Sequence, residues 1–217
     1  MYKRQGINQL RNYLQGASGD YGAIAKEAAA SVSADEQAGR KPDEGDLLRL
    51  ADAQQRTGNM TGYGVSLEKL LLNYPKKDYW SAYLGRLPRK AGFADRFALD
   101  VMRLRLASGT LTKTDDFMEM SQLALQAGLP AEGRRIADQG FKAGVLGTGP
   151  EAARHQRLRD LAVKNEAESK AAIAAQTTEA ATQTTGDDLV KVGFAQVSLG
   201  EVDAGIRLIE QGIAKGG

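Results

Sequence analysis

The chain has 217 residues, 29 basic against 27 acidic side chains, 42% hydrophobic and 6% aromatic content, 25 glycines and no cysteine. A net charge of +2 disfavours a general binder of nucleic-acid backbones, and the lack of cysteine excludes disulfides, cysteine-ligated zinc and thiol catalysis. No apolar run reaches bilayer-spanning length, and the scarcity of aromatics beside many Ala, Leu and Gly fits closely packed helices better than a thick β-sandwich.

The opening MYKRQ leads into no apolar export segment, so residues 1–5 read as a non-native tail and are set aside. Residues 6–43 are predicted as a degenerate helical repeat with Gly19 at its turn, followed by a linker. The longest connection is expected over 33–46, where Gly39, Pro42 and Gly45 fall. Over 44–77, Leu47, Leu50, Ala51 and Gln54 lie on one helical stripe, Gly58 and Asn59 break it, Tyr63, Leu67 and Leu70 form a second, and Pro75 stops that. Asn59-Met60-Thr61 matches a glycosylation acceptor pattern, but turn chemistry accounts for the asparagine.

Residues 78–111 repeat the pattern loosely. Trp80, Tyr83, Leu84 and Leu87 form one stripe and Phe97, Val101 and Leu104 another, with Pro88 and Gly92 near the join. Segment 76–105 holds eight basic residues (Lys76, Lys77, Arg86, Arg89, Lys90, Arg96, Arg103, Arg105) against three acidic ones. Tyr79, Trp80, Tyr83 and Phe93 interleave with some of these, as on a nucleic-acid surface. Their helical spacing and the near-neutral total favour core packing beside a solvated basic face.

In 114–147 the first helix carries Phe117, Met120, Ser121 and Ala124, Gly128 makes the turn, and Gly133, Ala137 and Gly140 follow. Residues 148–185 form an insertion: Pro150 can start a helix, 154–175 lacks glycine and proline and predicts one long helix, and the Thr- and Gln-rich stretch 177–185 predicts fraying or a loop. Residues 186–217 return to the pattern, with Leu189, Val192, Gly193 and Gln196, then Gly200, then Gly205, Ile209 and Gly212.

GLPAEGRRIADQGFKAG at 128–144 recurs as GEVDAGIRLIEQGIAKG at 200–216. Gly128, Gly133, Gly140 and Gly144 fall on Gly200, Gly205, Gly212 and Gly216, and Arg135 and Gln139 on Arg207 and Gln211. The offset is 72 residues, room for two helix-turn-helix units. The expected fold is therefore all-α, an α-solenoid of five or six antiparallel helix pairs. A glycine inside a helix costs about 1 kcal/mol relative to alanine, so its recurrence at repeat-equivalent places points to close helix approach. The ending AKGG falls where a further unit would begin, and the array reads as truncated.

Catalytic signals are weak. The 128–133 segment has the glycine spacing of a phosphate loop, but Arg134-Arg135 stand where Lys then Ser or Thr are needed and no strand precedes it. His155, the one histidine, sits among Arg154, Arg157 and Arg159 and is read as a surface helix residue. The acid pairs Asp115-Asp116 and Asp187-Asp188 recur at the 72-residue offset, which marks them as helix-start residues facing the positive dipole end and not as an acid/base pair. No catalytic, cofactor or metal site is assigned.

The 44–77 unit resembles the 34-residue tetratricopeptide repeat in its large, small and aromatic positions, its turn glycine and its terminal proline. At a finer level YPKKDYW at 74–80, KAGFADRFALDVMRLRLASGTL at 90–111 and DDFMEMSQLALQAGLPAEGRRIADQGFKAGVLGTGPEAARHQRLRDLA at 115–162 are similar to a group of proteobacterial tetratricopeptide proteins of unknown function, over most of 7–217. Members of that group usually begin with an export signal and extend beyond this C-terminus, which implies a periplasmic location, with the cytoplasm as the alternative. Some are thought to accompany energy-coupled transport systems of the cell envelope.

The resemblance implies a right-handed superhelix of helix pairs, a non-enzymatic scaffold that binds a peptide or helix of a partner protein along the inner face of each first helix. Carried over by position, that groove comprises Asp52, Gln55 and Arg56, then Tyr79, Arg86 and Arg89, then Met118, Gln122 and Gln126, then Phe194 and Val197. Its middle is basic and its end apolar, which suits an extended peptide or an acidic-hydrophobic helix. The Lys and Asn set by which chaperone-binding members hold a terminal carboxylate is lacking. The competing readings are a nucleic-acid-binding α-solenoid using the 76–105 patch and the non-catalytic part of a larger enzyme.

Overall fold

Asp20 opens the first helix that the structure describes, its carboxylate accepting the Ala23 N–H at 2.9 Å in place of a missing helical carbonyl. The computed structural model describes residues 19–216; the expected tail at 1–5 and the first part of the 6–43 repeat lie outside the described residues. Among these the fold is all-helical, with ten α-helices, two short 3₁₀ turns and no strand. Two compact units divide the chain between Phe93 and Ala94.

The first unit contains α1 (Tyr21–Gln37), α2 (Glu44–Arg56), α3 (Met60–Asn73) and α4 (Lys77–Leu84), then a 3₁₀ turn at Leu87–Arg89. The stripes expected over 44–77 are its core: Leu47, Leu50, Ala51, Leu67 and Leu70 pack with Ala28 and Val32 of α1, and Tyr63, Tyr74, Tyr79 and Tyr83 close the margin. Asn59 caps α3 by accepting the Gly62 N–H at 2.9 Å, and Gly58 takes φ +73° to make the turn before it. The linker expected over 33–46 is shorter than its composition implied. α1 continues through Gln37 because Val32 is buried against α2, and Arg40 then pairs with Asp35 at 2.6 Å to close the connection.

The 78–111 stripes are only partly realised. α4 ends at Leu84, leaving Leu87 in the 3₁₀ turn, and Phe97 and Leu104 are exposed while Leu99, Val101 and Met102 are buried. A second 3₁₀ turn, Asp95–Phe97, precedes the next helix and holds Phe97, and the buried face keeps Val101 of the expected stripe but takes Leu99 and Met102 in place of Phe97 and Leu104.

The second unit contains α5 (Ala98–Ala107), α6 (Thr114–Gln126), α7 (Pro130–Lys142), α8 (Ala152–Thr182), α9 (Asp187–Ser198) and α10 (Val202–Ala214). Helices α6 and α7 form one hairpin and α9 and α10 another, with positive-φ glycines 128 and 200 at their turns. The first hairpin is centred on Met120, Ile136, Phe117 and Leu146. In it the Ser121 hydroxyl donates to the Gly133 carbonyl at 2.8 Å. Seventy-two residues on, Gly193 replaces that serine and the backbones meet: a Cβ on Gly205 would stand 2.4 Å from the Gly193 carbonyl oxygen, and one on Gly193 2.6 Å from that of Gly205. This pair can approach so closely because both contact positions lack side chains.

Between the hairpins, α8 runs for 31 residues and includes most of the stretch expected to fray. Nothing between Pro150 and Gly186 breaks a helix, and the threonine hydroxyls fold back onto it: Thr177 and Thr178 donate to the Ile173 and Ala174 carbonyls at 2.8 and 3.0 Å. Pro150 lies in the preceding turn and not at the helix start. His155, expected at the surface, is 4% exposed; its Nδ1 accepts the Gly147 N–H at 3.1 Å, tying the α7–α8 connector to the helix it precedes.

Candidate functional site

The residues assigned to a groove fall in both units and have different fates. In the first, Asp52 and Arg56 are exposed on α2 and pair with each other at 2.9 Å, while Gln55 is exposed beside them. Tyr79 is half-buried and donates its hydroxyl to Glu44; burial, and then that carboxylate, push its pKa up to about 12. Hydrogen bonds from Lys76 and Tyr79 hold the Glu44 carboxyl below the ordinary range. Arg86 lies over the Tyr63 ring at 4.4 Å and donates to the Met60 carbonyl at 2.8 Å, bracing α3, whereas Arg89 is exposed.

Three of the eight basic residues of segment 76–105 pair with carboxylates of their own unit. Lys76 pairs with Glu44 at 2.7 Å, Arg103 with Asp100 and Glu132, and Arg105 with the buried Asp116 at 2.8 Å. Asp116 also accepts the Thr112 and Lys113 N–H groups at 3.3 and 3.2 Å, as a first-turn acid does. Gly128 is the α6–α7 turn, and Gly133 sits inside α7 against Leu125 and Ser121, so the phosphate-loop spacing is a helical packing pattern.

In the second unit Met118 is buried in the core with Phe117 and Met120 and cannot meet a ligand, a correction to its assignment. Phe117, Met118 and Met120, on either side of the exposed Glu119, widen the buried face of α6 beyond the stripe read from spacing. Gln122 and Gln126 are exposed on α6. Phe194 and Val197 come together on α9 and line an open cavity of about 280 Å³ with Arg103, Leu129, Glu132, Arg135 and Ser198. Phe194 is 53% exposed there.

This mouth is cationic with an apolar wall. Arg103 donates from Nε to Glu132 at 2.8 Å and from Nη1 to Asp100 at 2.8 Å, and the Glu132 hydrogen bonds raise its pKa above the usual arginine value. Glu132 is thereby occupied, and Arg135, its Nη2 3.8 Å away with a largely exposed side chain, retains donors for another anion. Arg103, Glu132 and Arg135 carried no signal of a shared site in the sequence: an ion pair between α5 and α7 joins positions 29 apart with no periodicity to mark it. A larger groove of about 360 Å³ runs along α7 and includes Arg134, Asp138 and Glu166, which are held in ion pairs, beside Arg135 and the exposed Lys142. Arg134 reaches Glu166 at 3.2 Å, Arg159 reaches Asp138 at 2.6 Å and Lys170 reaches Glu166 at 2.6 Å, so these pairs form a helix-joining network.

Among the described residues no group of three or more acidic or histidine side chains is placed to hold a metal ion, and no helix is long and apolar enough to cross a membrane. Compared with known proteins, the chain matches no protein-family model and no curated protein. The chemistry that the mouth offers is recognition: guanidinium donors, one hydroxyl and an exposed aromatic ring.

Proposed function

We propose that this protein is a non-enzymatic interaction scaffold, an α-solenoid of tetratricopeptide type that holds a segment of a partner protein, with the mouth lined by Phe194, Val197 and Arg135 as its contact point. The observation that carries the reading is the exposed Phe194 ring beside a guanidinium with free donors. Aromatic and arginine side chains dominate binding energy at protein interfaces, where removing one such anchor costs about 2 kcal/mol, roughly thirtyfold in affinity. The ligand that fits is an acidic-hydrophobic peptide or helix. The recurrence at 72 residues supports the repeat architecture, because hairpins that expose a flank gain from stacking on neighbours. The cell-envelope setting is part of the proposal and rests on the resemblance of 74–162.

The test is capture from a bacterial envelope extract by the wild-type chain and by a Phe194→Ala, Arg135→Glu double variant, side by side, with bound proteins identified by mass spectrometry. A partner held by the wild type and lost by a variant of unchanged helicity is the expected result. The same partners on both, or none on either, would remove the mouth as the binding site.

A further inference from the structure

The two hairpins of the second unit are the same structural unit 72 residues apart, and one shows how the flank of the other is meant to be covered. On α7 the side chains that meet α8 are Arg134, which reaches Glu166, Asp138, which accepts Arg159, and Phe141, under the Arg159 guanidinium at 5.1 Å. The corresponding residues of α10 are Ile206, Glu210 and Ile213. Pro130, buried on α7, corresponds to Val202. This flank of α10 is more apolar than its covered counterpart, yet Val202, Ile206 and Ile213 are 48%, 44% and 61% exposed. An exposed stripe of this kind, at spacing i, i+4, i+11, is the signature of a helix-binding face.

We propose that the outer flank of α10 is a docking surface for a basic-edged amphipathic helix of a partner protein, seated as the first turns of α8 sit on α7. The acid is kept at the matching place, Glu210 for Asp138, so the incoming helix supplies a cation where α8 supplies Arg159. A second copy of α10 fits poorly. Paired antiparallel about a two-fold axis it sets the same edge against itself, bringing Asp203 of one copy towards Glu210 of the other, and like charges facing each other oppose that pairing. This surface lies on a different helix from Phe194 and is independent of the mouth described above.

The test uses the whole chain and two fluorescein-labelled amphipathic helical peptides of the same pattern, one of leucine and lysine and one of leucine and glutamate, followed by anisotropy. On the Phe194→Ala chain, whose mouth has lost its anchor for acidic ligands, the lysine peptide is expected to bind about tenfold more tightly than the glutamate peptide, a difference of about 1.4 kcal/mol. Ile206→Gln with Ile213→Gln, both solvent-facing, should remove that binding, while Glu210→Lys should reverse the preference between the peptides. Phe194→Ala should leave the lysine peptide's affinity unchanged, and any weakening of the glutamate peptide on that variant reports the mouth and not α10. Equal affinity for the two peptides on the Phe194→Ala chain, or retention of the lysine peptide by the glutamine variant, would overturn the proposal. So would concentration-dependent dimerisation of the chain that the glutamine variant abolishes, which would make a second copy the occupant.

Discussion

Glu166 is a buried carboxylate whose two cations come from different helices, Lys170 one turn along α8 and Arg134 across on α7. The Lys170 hydrogen bond, opposed by burial and aided by Arg134, holds its pKa below the ordinary carboxylate value of 4.5. A carboxylate with a depressed folded-state pKa stabilises the fold above its unfolded value and loses that contribution as pH falls through the folded one. The contact between α7 and α8 should therefore weaken below about pH 4.5, and Glu166→Gln should flatten the acid limb of a stability-versus-pH curve measured by urea unfolding. A variant with an unchanged acid limb would show that the pair contributes nothing to folding. Residues 155, 158, 162 and 166 share one face of α8, and that spacing was available in the sequence. His155 was misread because the three arginines around it have the look of a solvated helix.

At the scale of the element, the C-terminal hairpin depends on absent side chains. Alanine at position 205 gains about 1 kcal/mol in helix propensity, but its Cβ would meet a main-chain oxygen at 2.4 Å, and backbone cannot rotate aside. Overpacking costs about 1–3 kcal/mol, and the rigid contact puts this site at the upper end, so Gly205→Ala should destabilise by at least about 1 kcal/mol net. Gly133→Ala is the control. Its Cβ would meet Leu125 Cγ and the Ser121 carbonyl oxygen, both at 3.1 Å, and the leucine can yield, so a change within about 0.5 kcal/mol either way is expected by urea denaturation. Equal losses at the two positions would refute the backbone-contact account. The recurrence of glycines announced the close approach, and the stripes of 44–77 and 114–147 were legible because large apolar residues mark them. Spacing could not reveal that Ser121 spans by a hydrogen bond the separation that Gly193 closes by direct backbone contact, nor that the 3₁₀ turn at Asp95–Phe97 precedes α5. The mouth at Phe194 was half legible, since its apolar wall follows from repeat position and its arginines do not.

At the scale of the molecule, α8 joins two hairpins that resemble each other and does not itself fold into a third. Its first half is anchored by His155, Leu158, Ala162 and Glu166, and its last turns by buried Ala180 and by the Ala181 carbonyl, which accepts Lys215 at 2.9 Å. From 167 to 179 no residue is fully buried. Amide hydrogens over 167–179 should therefore exchange faster than those of α6 and α7, and Ala174→Gly should lower stability by no more than about 1 kcal/mol. Protection of that stretch equal to that of α6 would mean that something covers it.

A continuous helix also fixes a distance. At 1.5 Å per residue, the 31 residues of α8 measure about 46 Å, which makes it a calliper bar with a hairpin clamped near each end. Four residues inserted in its open middle would slide the outer jaw by about 6 Å and swing it by about 40°, re-aiming the face of α10 without altering one contact that forms it.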